Sequence, residues 1–384
     1  MGKKLLVISS ELISEWVLKG EIVERYYNPE NLFSEITFLI HDNDRIELSA
    51  LRVLSGNAEV NVVRYKTGIS LFLLTFFWRR LLLKIWATRT CKTLDGYSFD
   101  VVRCYGADLN LVLAYKFLKN RNIPAVCSIH VNYDVARSFY RNPFLTRIRH
   151  RLIEKIKTEY LVKVTEVWPV YESILDYLNK RGISNHRIVY NVVNQSVKAK
   201  NDWGPHDPLR LISIGRLIKE KSPIVFLRAV ANISNANLLI VGSGPLLSAI
   251  EEEIRILNIS DRVELVSSIP NSELCKKLAE SDLCILYSEY WEFSKVMIES
   301  SLTGVPIILN RNPNSRNPEF RSLPISFVEG DTASYEAKIL EFSQNPKMYQ
   351  HIGSTLQSEA TKSWSPTVLE KQHAYAYLEV MQNG

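Results

Sequence analysis

Short apolar runs alternate along the chain with stretches of helical spacing. Residues 3–10, 35–40, 58–65, 99–106 and 123–130 read as strands, each ending in a polar turn. Between the first two, residues 18–27 read as an amphipathic helix led by Gly20. Residues 167–194 continue as strand, helix and strand, and 195–208 (QSVKAKNDWGPHDP) are polar, with one Gly and two Pro. Apolar runs resume at 211–214, released by Gly215, and at 238–241, released by Gly242-Ser243-Gly244-Pro245. Residues 281–310 form a strand, a helix carrying Glu299, and a second strand opened by Gly304-Val305-Pro306. Ser365-Pro366 then starts a terminal helix over 367–381. This alternation predicts an α/β protein with doubly wound parallel sheets. It divides the chain into a first domain at 1–195, a linker at 196–208, a second domain at 209–362 and a terminal helical segment at 363–384.

Charge separates the halves. Residues 1–200 hold 30 Lys and Arg against 19 Asp and Glu, whereas 201–384 hold 17 against 22. The first half is therefore suited to an anionic surface. Residues 68–86 (GISLFLLTFFWRRLLLKIW) place an apolar run before Arg79, Arg80 and Lys84, too short and too charged to cross a bilayer. With Trp78 and Trp86 beside cations, the segment suits a membrane interface, or a core helix with its basic residues in water. A second basic amphipathic stretch, 141–163, sets Phe144, Ile148, Leu152, Ile156 and Tyr160 on one stripe and favours the interface. No nucleic-acid module is recognisable, so an anionic membrane is the expected partner rather than nucleic acid. Five scattered cysteines, three in or beside strand-like runs, read as buried reduced thiols in a cytosolic protein. Asp42-Asn43-Asp44 after a strand has the spacing of a metal-binding Asp-x-Asp, but Asp and Asn are common turn formers, and it reads as a turn.

Several residues carry candidate chemistry. Gly215-Arg216 and Lys221 put two cations just beyond a strand, where ligands of open α/β sheets bind. Arg216 can fork onto phosphate oxygens and Lys221 adds a point charge. Glu292 and Glu299 are seven apart and share a face if both are helical. Amides at Ser294, Lys295 and Val296 stand at the start of the Glu299 helix, at its positive end. His130 follows a strand in the first half, either at a ligand or as a structural residue at the strand end.

Taken together, Gly215-Arg216 with Lys221, Val241 to Pro245, Glu299 to Pro306 and Asn317-Pro318-Glu319 resemble the nucleotide-sugar half of the family 4 retaining glycosyltransferases. The likeness covers residues 208–335 well and the first half loosely. It implies a GT-B fold, with two Rossmann-like domains facing across a cleft and a terminal helix whose Tyr375, Tyr377 and Leu378 pack back on the first. It implies Glu299 on the donor ribose, His130 against the donor sugar, Ile269 in a turn whose backbone contacts the base, and Gly215, Gly242, Gly244 and Gly20 in loops near the donor. It further implies retention of configuration, with no protein nucleophile, metal or cofactor.

The family's Glu-x7-Glu pattern fails by one residue. Counting back from Glu299 lands on Trp291, with Glu292 and Glu289 the nearest acids. Either Glu292 takes the role through a shifted turn, with Glu289 the other candidate, or the donor-sugar contact is altered or lost. The expected activity is sugar transfer from a nucleotide sugar to a lipid-linked or surface-glycan acceptor at the cytoplasmic membrane face. A sugar-nucleotide epimerase or a degenerate glycosyltransferase-like binding subunit are the alternatives. Donor base, sugar, acceptor and linkage are not legible in these residues.

Overall fold

The apolar runs pair into two six-stranded sheets, all of whose strands are parallel. The computed structural model describes residues 2–66, 79–138, 144–290, 292–312 and 318–383, with side chains except at 79–80, 136–138, 144–150 and 152. The expectations placed on 68–78, on Trp291 and on Asn317 lie outside these residues, as do those on the side chains of Arg79, Arg80, Phe144, Ile148 and Leu152. Two units are present. One comprises Met1–Val17, Ile22–Tyr190 and Glu370–Gly384, the other Leu18–Glu21 and Asn191–Leu369.

In the first unit β1 (Lys3–Ser9), β2 (Phe33–His41), β3 (Glu59–Tyr65), β4 (Val101–Tyr105), β5 (Ala125–Ile129) and β6 (Glu166–Pro169) lie in the order β3-β2-β1-β4-β5-β6. The winding reverses between β1 and β4, so a crevice opens beyond Ser9 and Tyr105. Leu5 to Ile8 are buried on both faces of the sheet, which is why β1 reads as an unbroken apolar run.

Two backbone expectations for the first half of the chain are corrected. The helix expected over 18–27 instead runs Ile13–Leu18, and Gly20, at φ +68°, follows its end rather than leading it. A left-handed backbone is natural to Gly and stops a helix. Tyr26 and Tyr27 are buried without helical backbone, packing with Trp16. Likewise, no strand forms over 187–194. Val189 N–H reaches Pro169 O at 3.0 Å and Val167 bridges His186, but no ladder follows.

The Asp42-Asn43-Asp44 segment is a turn. Buried Asp44 accepts the N–H groups of Ile13 (2.7 Å) and Ser14 (3.1 Å), so its carboxylate anchors the start of that helix. On the helix Arg79–Lys92, Trp86 is buried and donates to Lys66 O at 3.1 Å, which corrects its assignment to a membrane-facing set. The same helix exposes Leu81, Lys84, Ile85 and Arg89. The terminal helix runs Pro366–Asn383. Its Tyr377 is buried, edge-on to Phe33 and Trp168 and bonded at 3.0 Å to the buried Arg103, whereas Tyr375 is exposed.

In the second unit β7 (Leu209–Ile214), β8 (Ala236–Val241), β9 (Val263–Val266), β10 (Leu283–Leu286), β11 (Ile307–Asn310) and β12 (Ser326–Val328) lie in the order β12-β11-β10-β7-β8-β9. Phe226, Tyr335, Ile339, Phe342 and Tyr349 belong to the buried core that packs with this sheet. The reversal falls between β7 and β10, so their carboxyl ends, at Ile214 and Leu286, frame the second crevice.

The 196–208 segment, expected as a polar linker, is docked on this unit. Lys200 is buried and donates to Ser281 O at 2.9 Å and to the Tyr349 hydroxyl, 4.0 Å from the buried Asp282 carboxylate. Burial pulls its ammonium below the ordinary lysine value. His206 Nδ1 lies 2.7 Å from Asp282, and Trp203 packs where Gly304 and Gly353 carry no side chain.

Candidate functional site

At the β7–β10 switch, a cavity is lined by Gly215, Leu217, Lys221, Tyr287, Ser288, Glu292, Ser294 and Met297, among others. Its floor comes from backbone packing. Gly215 N–H bonds Val241 O at 3.0 Å and Leu217 N–H bonds Ser243 O at 2.9 Å, which sets the loop after β7 on the loop after β8. A Cβ on Gly242 would stand 1.9 Å from Gly215 O, and one on Gly244 2.4 Å from Leu217 O. Only glycine permits this approach, and it fixes where β7 delivers Arg216 and Lys221. Arg216 is exposed, between two cavity-lining residues.

Lys221 closes a 3-10 turn (Lys219–Lys221), and its ammonium is paired with the Glu292 carboxylate, both side chains less than a fifth exposed. The same ammonium lies 5.4 Å from the centre of the Tyr290 ring. Glu289 is held differently. Its N–H bonds Glu220 O at 2.9 Å and its carboxylate accepts the Tyr287 hydroxyl at 3.4 Å. Of the two acids near the expected position, Glu292 is the one that lines the cavity.

Ser294 precedes the helix Lys295–Thr303 in extended backbone, without a side-chain cap bond. The end of the helix that lines the cavity therefore presents the N–H groups of its first turn, including those of Lys295 and Val296. One turn further, Glu299 is fully buried. Its Oε1 accepts Asn271 Nδ2 at 3.0 Å and lies 3.5 Å from Lys295 Nζ, while its Oε2 has no hydrogen-bond partner. Burial pushes the nearby Cys275 thiol up to about 12, and the Glu299 charge adds to that.

The structure also brings Ile269 and Gly20 together. Leu18–Glu21 groups with the second unit, where Gly20 O accepts the Asn271 N–H at 3.0 Å and a Cβ on Gly20 would stand 2.2 Å from Ile269 O. His130 follows β5 in the first unit. Its ring stacks on Tyr105 at 4.0 Å between centroids, Tyr105 in turn lies 4.3 Å from Trp16, and Tyr171 donates to His130 O. All five cysteines are free and buried. Sequence reasoning missed the Asn271 side chain and the Tyr290 ring. The sequence signal for Asn271 was only its place after Pro270 at a helix start.

This arrangement of cations, a helix N-terminus and two acids suits a ligand carrying a diphosphate and hydroxyl groups. Comparison with known proteins agrees. The sequence model for "Glycosyl transferases group 1" matches residues 197–358. N-acetyl-alpha-D-glucosaminyl L-malate synthase of Bacillus anthracis is 25% identical over 318 residues, covering 77% of this chain and 79% of its own. Among solved structures, sucrose-phosphate synthase of Thermosynechococcus elongatus superposes with a TM-score of 0.73 at 16% identity, over 100% of both chains. HepE of Anabaena in complex with UDP-glucose superposes with a TM-score of 0.69 at 13% identity, over 98% of this chain and 99% of that one. The second unit is a group 1 glycosyltransferase domain, and the chain is a glycosyltransferase of the GT-B fold.

Proposed function

We propose that this glycosyltransferase moves a sugar from a nucleoside diphosphate sugar with retention of configuration and without a metal. The observation that carries this reading is the Lys221–Glu292 ion pair in the cavity, beside Gly215 and the Ser294 helix end. An arriving diphosphate competes with Glu292 for the ammonium. Arg216, Lys221 and the first-turn N–H groups then stabilise the charge that develops as the diphosphate leaves. Glu292, released from the ion pair, accepts hydroxyls of the donor sugar, and buried Glu299 accepts those of the ribose. The acceptor hydroxyl attacks from the side the diphosphate leaves, and a phosphate oxygen takes its proton, so no side chain acts as nucleophile. The UDP-glucose held by HepE supports a nucleotide sugar as donor.

Transfer is expected to persist in EDTA, because the cations of the cavity supply the charge that a metal would. The check is product formation from a panel of UDP-, GDP- and ADP-sugars, with and without chelator. Complete loss in EDTA, restored by Mn²⁺ or Mg²⁺, would contradict the metal-free reading.

The acceptor is proposed to be lipid-linked or a surface glycan, met at the cytoplasmic face of a membrane. Among the described residues, no helix is long and apolar enough to cross a membrane. The support is the helix Arg79–Lys92, which exposes Leu81 and Ile85 beside Lys84 and Arg89. Sedimentation with vesicles should show binding that grows with anionic lipid and falls with salt. Changing Arg79, Arg80 and Lys84 to Ser should weaken it by about 1 kcal/mol per cation. Binding indifferent to lipid charge would remove the membrane from the reading.

A further inference from the structure

The register between β10 and β11 ends at Leu286 and Leu309, short of the cavity loop. Beyond that point a side chain takes over from the backbone. Asn310, the last residue of β11, accepts the Ser288 N–H on its Oδ1 at 2.7 Å and donates from its Nδ2 to Ser288 O at 3.2 Å. Both backbone groups of Ser288 are thus satisfied as a neighbouring strand would satisfy them. Asn310 is 5% exposed, so water does not compete for these bonds. The residue held in this way leads to the cavity cation. Ser288 lines the cavity, and the next residue, Glu289, donates its N–H to Glu220 O at 2.9 Å, which joins the loop after β10 to the turn that ends in Lys221. The Tyr290 N–H bonds the Ser288 hydroxyl at 3.2 Å, so the ring beside the Lys221 ammonium is placed from the same residue.

We propose that Asn310 is a positioning residue for sugar transfer, which by fixing Ser288 fixes the Lys221 ammonium where the donor's diphosphate meets it. Asn310 acts through Ser288 rather than on the ligand. Without its amide, the N–H and C=O of Ser288 lose buried partners, and the loop can leave the sheet together with the Glu289 N–H that steadies the Lys221 turn. A cation already in place stabilises a departing diphosphate better than one that must first be brought there, so the loss falls on diphosphate recognition and on the chemical step. This assignment rests on the proposed donor site.

The test is the preference of the intact protein for a nucleoside diphosphate over its monophosphate, titrated calorimetrically with the tightest of UDP, GDP and ADP and the matching monophosphate. It is measured in the parent, Lys221→Ala, Asn310→Ala and the double variant. Asn310→Ala should cut the preference by about fivefold, and the double variant should lose little beyond Lys221→Ala, because both changes remove the same contact. Asn310→Ser, which puts a smaller polar group in the same place, should show a similar loss and serves if Asn310→Ala does not fold. Ile308→Val trims the buried core of the same strand and should lower the melting temperature while leaving the preference unchanged. A preference untouched in the Asn310 variants, losses that simply add to that of Lys221→Ala, or an equal loss in Ile308→Val would overturn the positioning role alone. So would failure of both Asn310 variants to fold beside a folded Ile308→Val, since that marks Asn310 as structural. A parent without the preference, or one that keeps it in Lys221→Ala, would overturn the donor site and this assignment with it.

Discussion

Glu292→Gln is expected to lower turnover by about 10²–10³ while leaving nucleotide affinity unchanged or slightly tighter. In the unliganded cavity its carboxylate is taken up by Lys221, and the cost of its partial burial is offset by that ion pair. In the proposed reaction a diphosphate takes the ammonium and leaves the carboxylate facing the donor sugar, where charge changes during transfer. Glutamine keeps the shape but not the charge, so binding survives and the chemical step suffers. Neutralising Glu292 also leaves Lys221 unopposed, which favours an anionic ligand. Glu299 should behave in the opposite way, Glu299→Ala weakening nucleotide binding itself by about 1.5–3 kcal/mol for the loss of a charged acceptor. Glu289→Gln should be mild, because its carboxylate is engaged with Tyr287 and does not line the cavity. Steady-state kinetics with a separate nucleotide titration distinguish the three. A fully active Glu292→Gln beside an inactive Glu289→Gln would reassign the acid.

Lys221→Ala is expected to lower kcat/KM by about 10²–10³, and Arg216→Ala by about 10². Lys221 loses more because its removal acts twice. The diphosphate forfeits a cation, and the Glu292 carboxylate, mostly buried and no longer offset by the Lys221 charge, repels what remains. It follows that adding Glu292→Gln to Lys221→Ala should recover part of the nucleotide affinity, a non-additivity that a double-mutant cycle reads directly. Arg216 is exposed, so its loss strands less buried charge and should not couple to Glu292 in this way. Near-parent rates in both single variants, with folding intact, would place the diphosphate elsewhere.

The sequence shows the second unit more clearly than the first, for physical reasons. Its strands at 211–214 and 238–241 are buried apolar runs ended by glycines whose Cβ-free backbone the packing of two loops demands, so composition and structure coincide there. The spacing defect at Trp291 was legible in the sequence, and the structure sets Glu292 in the cavity, paired with Lys221. Near the start of the chain, Gly20 was read as a helix start because periodicity cannot tell which side of a glycine the helix lies on. The backbone angle decides that. Trp86 was read as interfacial because it neighbours cations, yet the tertiary contact to Lys66 O buries it. Asp44 at Ile13, Lys200 at Ser281 and Asn271 at Glu299 are hydrogen bonds between distant positions. Local pattern carries no trace of such pairs, which explains why the docking of the polar 196–208 segment was not legible.

The central assignment, that the cavity at Gly215, Lys221, Glu292 and Ser294 receives the diphosphate of a nucleotide sugar, is tested most directly by calorimetric titration of nucleoside diphosphates against monophosphates. The parent should bind one diphosphate per chain more tightly than the matching monophosphate. Lys221→Ala should reduce that preference by about tenfold or more, as loss of one charge-assisted contact requires. An equal affinity for the two nucleotides in the parent, or a preference untouched by Lys221→Ala, would contradict it.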